Sequence, residues 1–186
     1  MAKEVDQIRV GANGTIRVAP VGTTAPTDEI AAYAAGWVDL GYTSEDGVTL
    51  TDAKTLAEIP VWQLFYAARR IITGRDFTAA FVLRQWSIDT VKLALGATVT
   101  EPTPGHYKIV PPSPESIDQR ALGIDWIDGT KHYRLLIARG MVTENVSTKI
   151  ARANASDLPV TFGIIGDDAA GDPWTIYTDD PAFEAA

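Results

Sequence analysis

Short apolar runs alternate with polar positions along most of this chain, and turn residues interrupt them at intervals. That period of two predicts a mainly β domain. A first hairpin is expected from residues 5–10 and 15–19 around Gly11-Ala12-Asn13-Gly14. Residues 36–42 read as a half-buried strand with Trp37 and Val38 on opposite faces. Past Asp46-Gly47, a pair that favours a tight turn, residues 48–51 read as another strand. The longest strand candidates, 59–73 and 77–86, are joined by Gly74-Arg75-Asp76. Ala67–Ile72 is also compatible with helix by composition, but the hairpin partner beyond the turn favours strand.

One helix is expected over 87–95, capped by Ser87 and ended by Gly96. Ile88, Val91, Leu93 and Leu95 give it an apolar surface. Prolines 102, 104, 111, 112 and 114 exclude a regular central strand through most of 97–117, leaving room for a short one at 106–110. A second hairpin follows, 119–127 and 131–139 around Asp128-Gly129. Leu122, Ile124 and Trp126 share one face of it, as do Tyr133, Leu135 and Ile137. Residues 144–152, 158–165 and 174–178 complete the expected strands.

Composition narrows the classes. A chain of 186 residues suits a single domain over 1–186 with its own core. It has no cysteine, which excludes disulfides, thiolate nucleophiles and Cys-based zinc sites. The N-terminus carries no apolar signal core, and no apolar run is long enough to span a membrane, so no membrane partner is expected. Net charge is −8, and seven acids with no base lie beyond Arg152. A protein that grips nucleic acid needs a basic stripe, and this one has none. The acidic segment at about 166–186 serves solubility or meets a basic surface on a neighbouring subunit.

Catalytic chemistry is not apparent. His106 and His132 lack metal-ligand spacing to each other or to a nearby His or Glu pair. No phosphate-cradling loop, dinucleotide-binding glycine set or nucleophile elbow is present. Asp167, Asp168 and Asp172 offer oxygens to calcium without the EF-hand order of ligands, and a polar loop explains them as well. The tryptophans at 37, 62, 86, 126 and 174 fall one per element, as core or intersubunit aromatics do rather than a stacking platform. Arg69 and Arg70, adjacent in a strand, point to opposite faces. The expectation is a non-enzymatic protein with no cofactor and no metal.

Three runs carry a resemblance: Gly36-Trp37-Val38-Asp39-Leu40-Gly41-Tyr42-Thr43-Ser44-Glu45-Asp46-Gly47-Val48, Gly123-Ile124-Asp125-Trp126-Ile127-Asp128-Gly129-Thr130-Lys131-His132-Tyr133-Arg134-Leu135 and Pro159-Val160-Thr161-Phe162. With Ala138-Arg139-Gly140-Met141-Val142, their order and spacing resemble the tail tube proteins of siphophages that infect actinobacteria. The likeness spans roughly residues 30–180.

The resemblance implies an antiparallel β-sandwich or small barrel with one flanking helix. It implies a structural protein of the virion tail, made in the host bacterial cytoplasm. Six copies would form a ring, and rings would self-assemble into a hollow tube around the tape measure protein. Tail terminator and tail tip proteins would bind its ends, and double-stranded DNA would pass through without sequence-specific contact. An N-terminal arm is expected at about 1–20. The segment 43–58, too long for a hairpin turn, is expected as a loop that contacts the next ring through Thr43, Ser44, Glu45, Asp46, Leu50 and Asp52. Alternation suggests Gln63, Thr78 and Arg84 as lumen-facing, although the positive Arg84 fits poorly with a channel that must not grip phosphate. The competing readings are a tail terminator, a type VI secretion tube subunit, or a ligand-binding β-barrel.

Overall fold

The two most strongly alternating runs pair with each other. Strands β7 (Arg120–Asp128) and β8 (Lys131–Val142) form an antiparallel hairpin with Asp128 opposite Lys131, so the turn is the pair Gly129-Thr130. The computed structural model describes residues 4–113, 117–166 and 172–184. Leu122, Ile124, Leu135 and Ile137 point from this hairpin into the core, as their spacing predicted.

Strand β1 (Asn13–Pro20) does not form the expected hairpin with residues 5–10. It pairs antiparallel with β7 from Asn13–Ile127 to Pro20–Arg120. The β7 margin buries Ile16 and Val18 beside Leu122 and Ile124, whereas residues 5–10 bury no apolar side chain. Val5–Gln7 is instead a 3-10 turn, and the residues expected as an arm at 13–20 belong to the sheet. The strand expected at 36–42 contracts to β2 (Val38–Asp39), opposite Val18 and Arg17.

The middle of the chain needs the largest correction. Residues 43–58, expected as a loop, form β3 (Thr43–Ile59), whose antiparallel partner is β4 (Arg69–Leu83). The hairpin therefore turns at 60–68, not at Gly74-Arg75-Asp76. Gly74 lies inside β4, where the register slips by one residue between Thr55–Gly74 and Leu56–Ile72, a bulge. The expected turn at 43–47 is likewise an irregularity of the ladder, between Thr43–Leu83 and Val48–Phe81. Most of β3 has both faces in solvent, so it lacks the apolar alternation that marks a half-buried strand.

The sheet order is β2-β1-β7-β8-β9-β4-β3, with β9 spanning Leu158–Ile164. Strand β10 (Trp174–Thr178) joins β8 separately. β8 changes partner along its length: Tyr133–Ile137 pair with β10, and Gly140–Val142 pair with β9. This division lets the two halves of the sheet face each other. Phe81, Leu83, Leu158, Val160 and Phe162 from one half share a single core with the β1, β7 and β8 residues of the other. Gly140 sits at the division because a Cβ there would lie 2.3 Å from the Phe162 ring and 2.5 Å from the Gly163 carbonyl oxygen. Residues 144–152, expected as a strand, are irregular.

The helix α1 (Ile88–Leu95) is where it was expected. The Thr90 N–H donates to Ser87 Oγ, the Ser87 N–H donates to Thr90 Oγ1, and Gly96 takes a left-handed φ of 61°. Its buried face is Thr90, Val91, Leu93 and Ala94, while Ile88 and Leu95 stay exposed. The proline-rich segment holds a small separate sheet of β5 (Thr98–Thr103) and β6 (His106–Val110). Among the described residues no helix is long and apolar enough to cross a membrane. The mainly β, antiparallel, one-helix fold expected from the sequence is the fold observed.

Candidate functional site

Beyond Thr51 and Thr78 the β3–β4 hairpin leaves the body, and its outer rungs pair only with each other among the described residues. Arg75 donates to both Asp52 oxygens at 3.0 Å, and Arg70 Nε donates to Glu58 at 2.8 Å. The Arg75 hydrogen bond holds the Asp52 carboxyl below its usual pKa. Such exposed pairs hold the rungs in register and contribute little to stability.

The turn at 60–68 carries no charge between Glu58 and Arg69. Trp62 is 98% exposed, Phe65 107% and Tyr66 88%, with Leu64 exposed beside them. Four large apolar side chains exposed together at the end of an arm form an apolar patch of the kind that interaction sites present. Among the sequence expectations, Gln63 falls in this turn rather than on a strand. The run Pro60-Val61-Trp62-Gln63-Leu64-Phe65-Tyr66, apolar but not alternating, was the available sign of a tip.

A second feature lies at the base of the arm. A cleft of about 740 Å³ opens between β1, β7 and the first part of β3. Its apolar lining is Ile16, Ile124 and Trp126 with Val48 and Leu50 on the β3 side, and Arg9, Asp39, Glu45 and Asp125 are the charged residues among its walls. Trp126 is held flat by stacking on Tyr133, with centroids 5.3 Å apart and planes at 4°. Thr43, Ser44, Glu45 and Leu50, four of the residues expected to make contacts, come together on this wall. Asp46 lies beside them, accepting from Ser44 Oγ at 2.6 Å, whereas Asp52 is out on the arm. Thr78 lies mid-sheet between Thr51 and Gly163, and Arg84 pairs with Asp157 at 3.4 Å just past β4.

Two polar clusters hold the walls in place. Asp125 accepts from Arg17 Nη1 and Arg134 Nε, both at 2.6 Å, and from the Tyr33 hydroxyl at 3.0 Å. Arg134, only 5% exposed, also donates to the Asp28 and Ala31 carbonyls. Both guanidiniums lie over the Tyr33 ring, 4.7 and 4.5 Å from its centroid. The segment 24–37 is thereby strapped over β7, where the Tyr33 hydroxyl and Trp37 occupy the space a Cβ on Gly123 would need. Burial, and then the Asp125 charge, raise the Tyr33 pKa.

Asp180, 3% exposed, ties the N- and C-terminal segments to the β7–β8 turn. It accepts from Arg9 Nε and the Tyr133 hydroxyl at 2.6 Å and from the Ala182 N–H at 3.0 Å, with Lys131 at 3.4 Å. Burial pushes its pKa up; the Tyr133, Ala182 and Arg9 hydrogen bonds outweigh burial and hold it well below the usual carboxylate range. Because the folded pKa is depressed, this stabilisation is complete above the unfolded value of 3.8 and is lost as pH falls through the folded one. Asp180→Asn is therefore expected to melt below the parent at neutral pH, with the gap closing below about pH 4. Thermal melts of both proteins across that range test this, and a gap independent of pH would contradict it.

Among the described residues, no group of three or more His, Cys, Asp and Glu is placed to hold a metal ion. The acidic cluster at 167–172 lies outside the described residues except for Asp172. The chain matches the family described as "Phage tail tube protein" over residues 1–186, its whole length. No curated protein matches it.

Proposed function

The chain belongs to the phage tail tube protein family, which places it in the virion tail, and from that premise we propose that six copies form a ring and that rings stack into a hollow tube. The tube encloses the tape measure protein during assembly, is bounded by terminator and tip proteins, and later conducts double-stranded DNA. The observation that carries this reading is the β3–β4 arm, whose tip holds three exposed aromatic side chains and whose outer rungs have no further strand partner among the described residues. An outermost strand with free backbone groups and an apolar tip is an aggregation hazard in a solitary protein and an interface in an assembling one. The charge agrees: a net −8 and no basic stripe let phosphate slide rather than bind.

The role of the protein is then mechanical, through repeated identical contacts. Negative-stain microscopy of the purified protein tests the reading. Tubes built of six-fold rings are expected. A protein that stays monomeric at high concentration, or rings that never stack, would contradict it.

A further inference from the structure

We infer that the cleft between β1, β7 and β3 is the seat for the aromatic hairpin tip of a neighbouring copy. The inference rests on the self-assembly reading and adds to it the two surfaces that meet.

Reach comes first. Ten residues separate Leu50 at the cleft from Pro60 at the tip, about 33 Å of extended strand. The ladder runs unbroken in direction to Ile59–Arg69, so the arm cannot fold its own tip back to its own cleft. Any tip in a cleft belongs to another molecule.

Size and chemistry follow. A cleft of about 740 Å³ falls within the roughly 300–1,000 Å³ range that encloses a drug-sized ligand, which leaves room for a pair of aromatic rings. Its lining of Ile16, Ile124 and Trp126 is apolar, and so is the tip apart from Gln63. Trp126, already stacked on Tyr133, presents a fixed aromatic surface.

Charge supplies the orientation. Arg69 flanks the tip and Glu45 lies on the cleft wall, and neither has an ion-pair partner among the described residues. Seating the tip brings these unlike charges to the rim of one interface, where charge sets register. Each copy has one tip and one cleft on different parts of its surface. The contact is therefore head-to-tail and repeats from copy to copy, as closed rings and open stacks both require.

The absence of native cysteine allows a direct test. Phe65→Cys and Leu50→Cys are made in separate chains, mixed, assembled and oxidised. A disulfide-linked dimer is expected, and a Tyr107→Cys chain, altered on the outlying β5–β6 sheet, should yield little product with Phe65→Cys. A second test leaves the apolar contacts intact: Arg69→Glu should raise the concentration needed for assembly several-fold, and adding Glu45→Arg should restore it. Tubes that form without the Phe65–Leu50 product, or a charge reversal that Glu45→Arg does not rescue, would overturn the seat while leaving the assembly reading standing. A parent protein that never assembles would overturn both.

Discussion

The combined variant Trp62→Ala, Phe65→Ala and Tyr66→Ala is expected to lose assembly while keeping the fold and melting temperature of the parent. All three side chains are exposed, so their removal takes nothing from the core. Fully burying an aromatic or aliphatic side chain is worth about 1.5–3 kcal/mol, so three buried at a contact supply roughly 5–9 kcal/mol. At about 1.4 kcal/mol per tenfold, their loss weakens each contact by three to six orders of magnitude. The variant should sediment as a monomer at concentrations where the parent forms tubes. Assembly by the variant at parental concentrations would show that the tip is not an interface.

The second large effect concerns the monomer. Asp125→Ala is expected to destabilise the fold by about 3 kcal/mol, the lower end of what breaking a buried ion pair costs, because Arg134 is buried while Asp125 keeps 20% of its side chain exposed. It strips the carboxylate from Arg17, Arg134 and Tyr33 at once. The Asp28 and Ala31 carbonyls still accept from Arg134, which keeps the loss from being larger. For a chain of this size, about 3 kcal/mol corresponds to a melting temperature lower by roughly 6–12 °C. Asp125→Asn retains an acceptor oxygen and should lose less. Urea unfolding of the three proteins gives the comparison, and an Asp125→Ala protein as stable as the parent would show that the strap over β7 is held by other contacts.

The proposed contact surfaces are only partly legible in the sequence. Thr43, Ser44, Glu45 and Leu50, expected on a contact loop, line one wall of the cleft from a strand. Trp62 is one of five tryptophans spaced as core or intersubunit aromatics are, and only the hairpin puts it at an arm's end. Asp125 and Asp180 had no visible signal. Their partners Tyr33, Arg17, Arg134, Arg9 and Tyr133 come from distant stretches of chain, and single acids in strands or turns look like ordinary surface residues.

By itself the sequence determined the features whose causes are local. Alternation marked β7 and β8, and short apolar runs marked β9 and β10; Ser87 and Gly96 bounded the helix; and the ordered motifs between residues 36 and 162 resembled the family to which the chain belongs. Only the tertiary structure decided that β1 pairs with β7, that β8 divides between β10 and β9, and that β3 and β4 extend as an arm. The physical reason is that strand pairing is a competition among margins far apart in the chain, settled by which union buries the most apolar surface. An arm that buries neither face takes no part in that competition, so no periodicity in its residues could announce it.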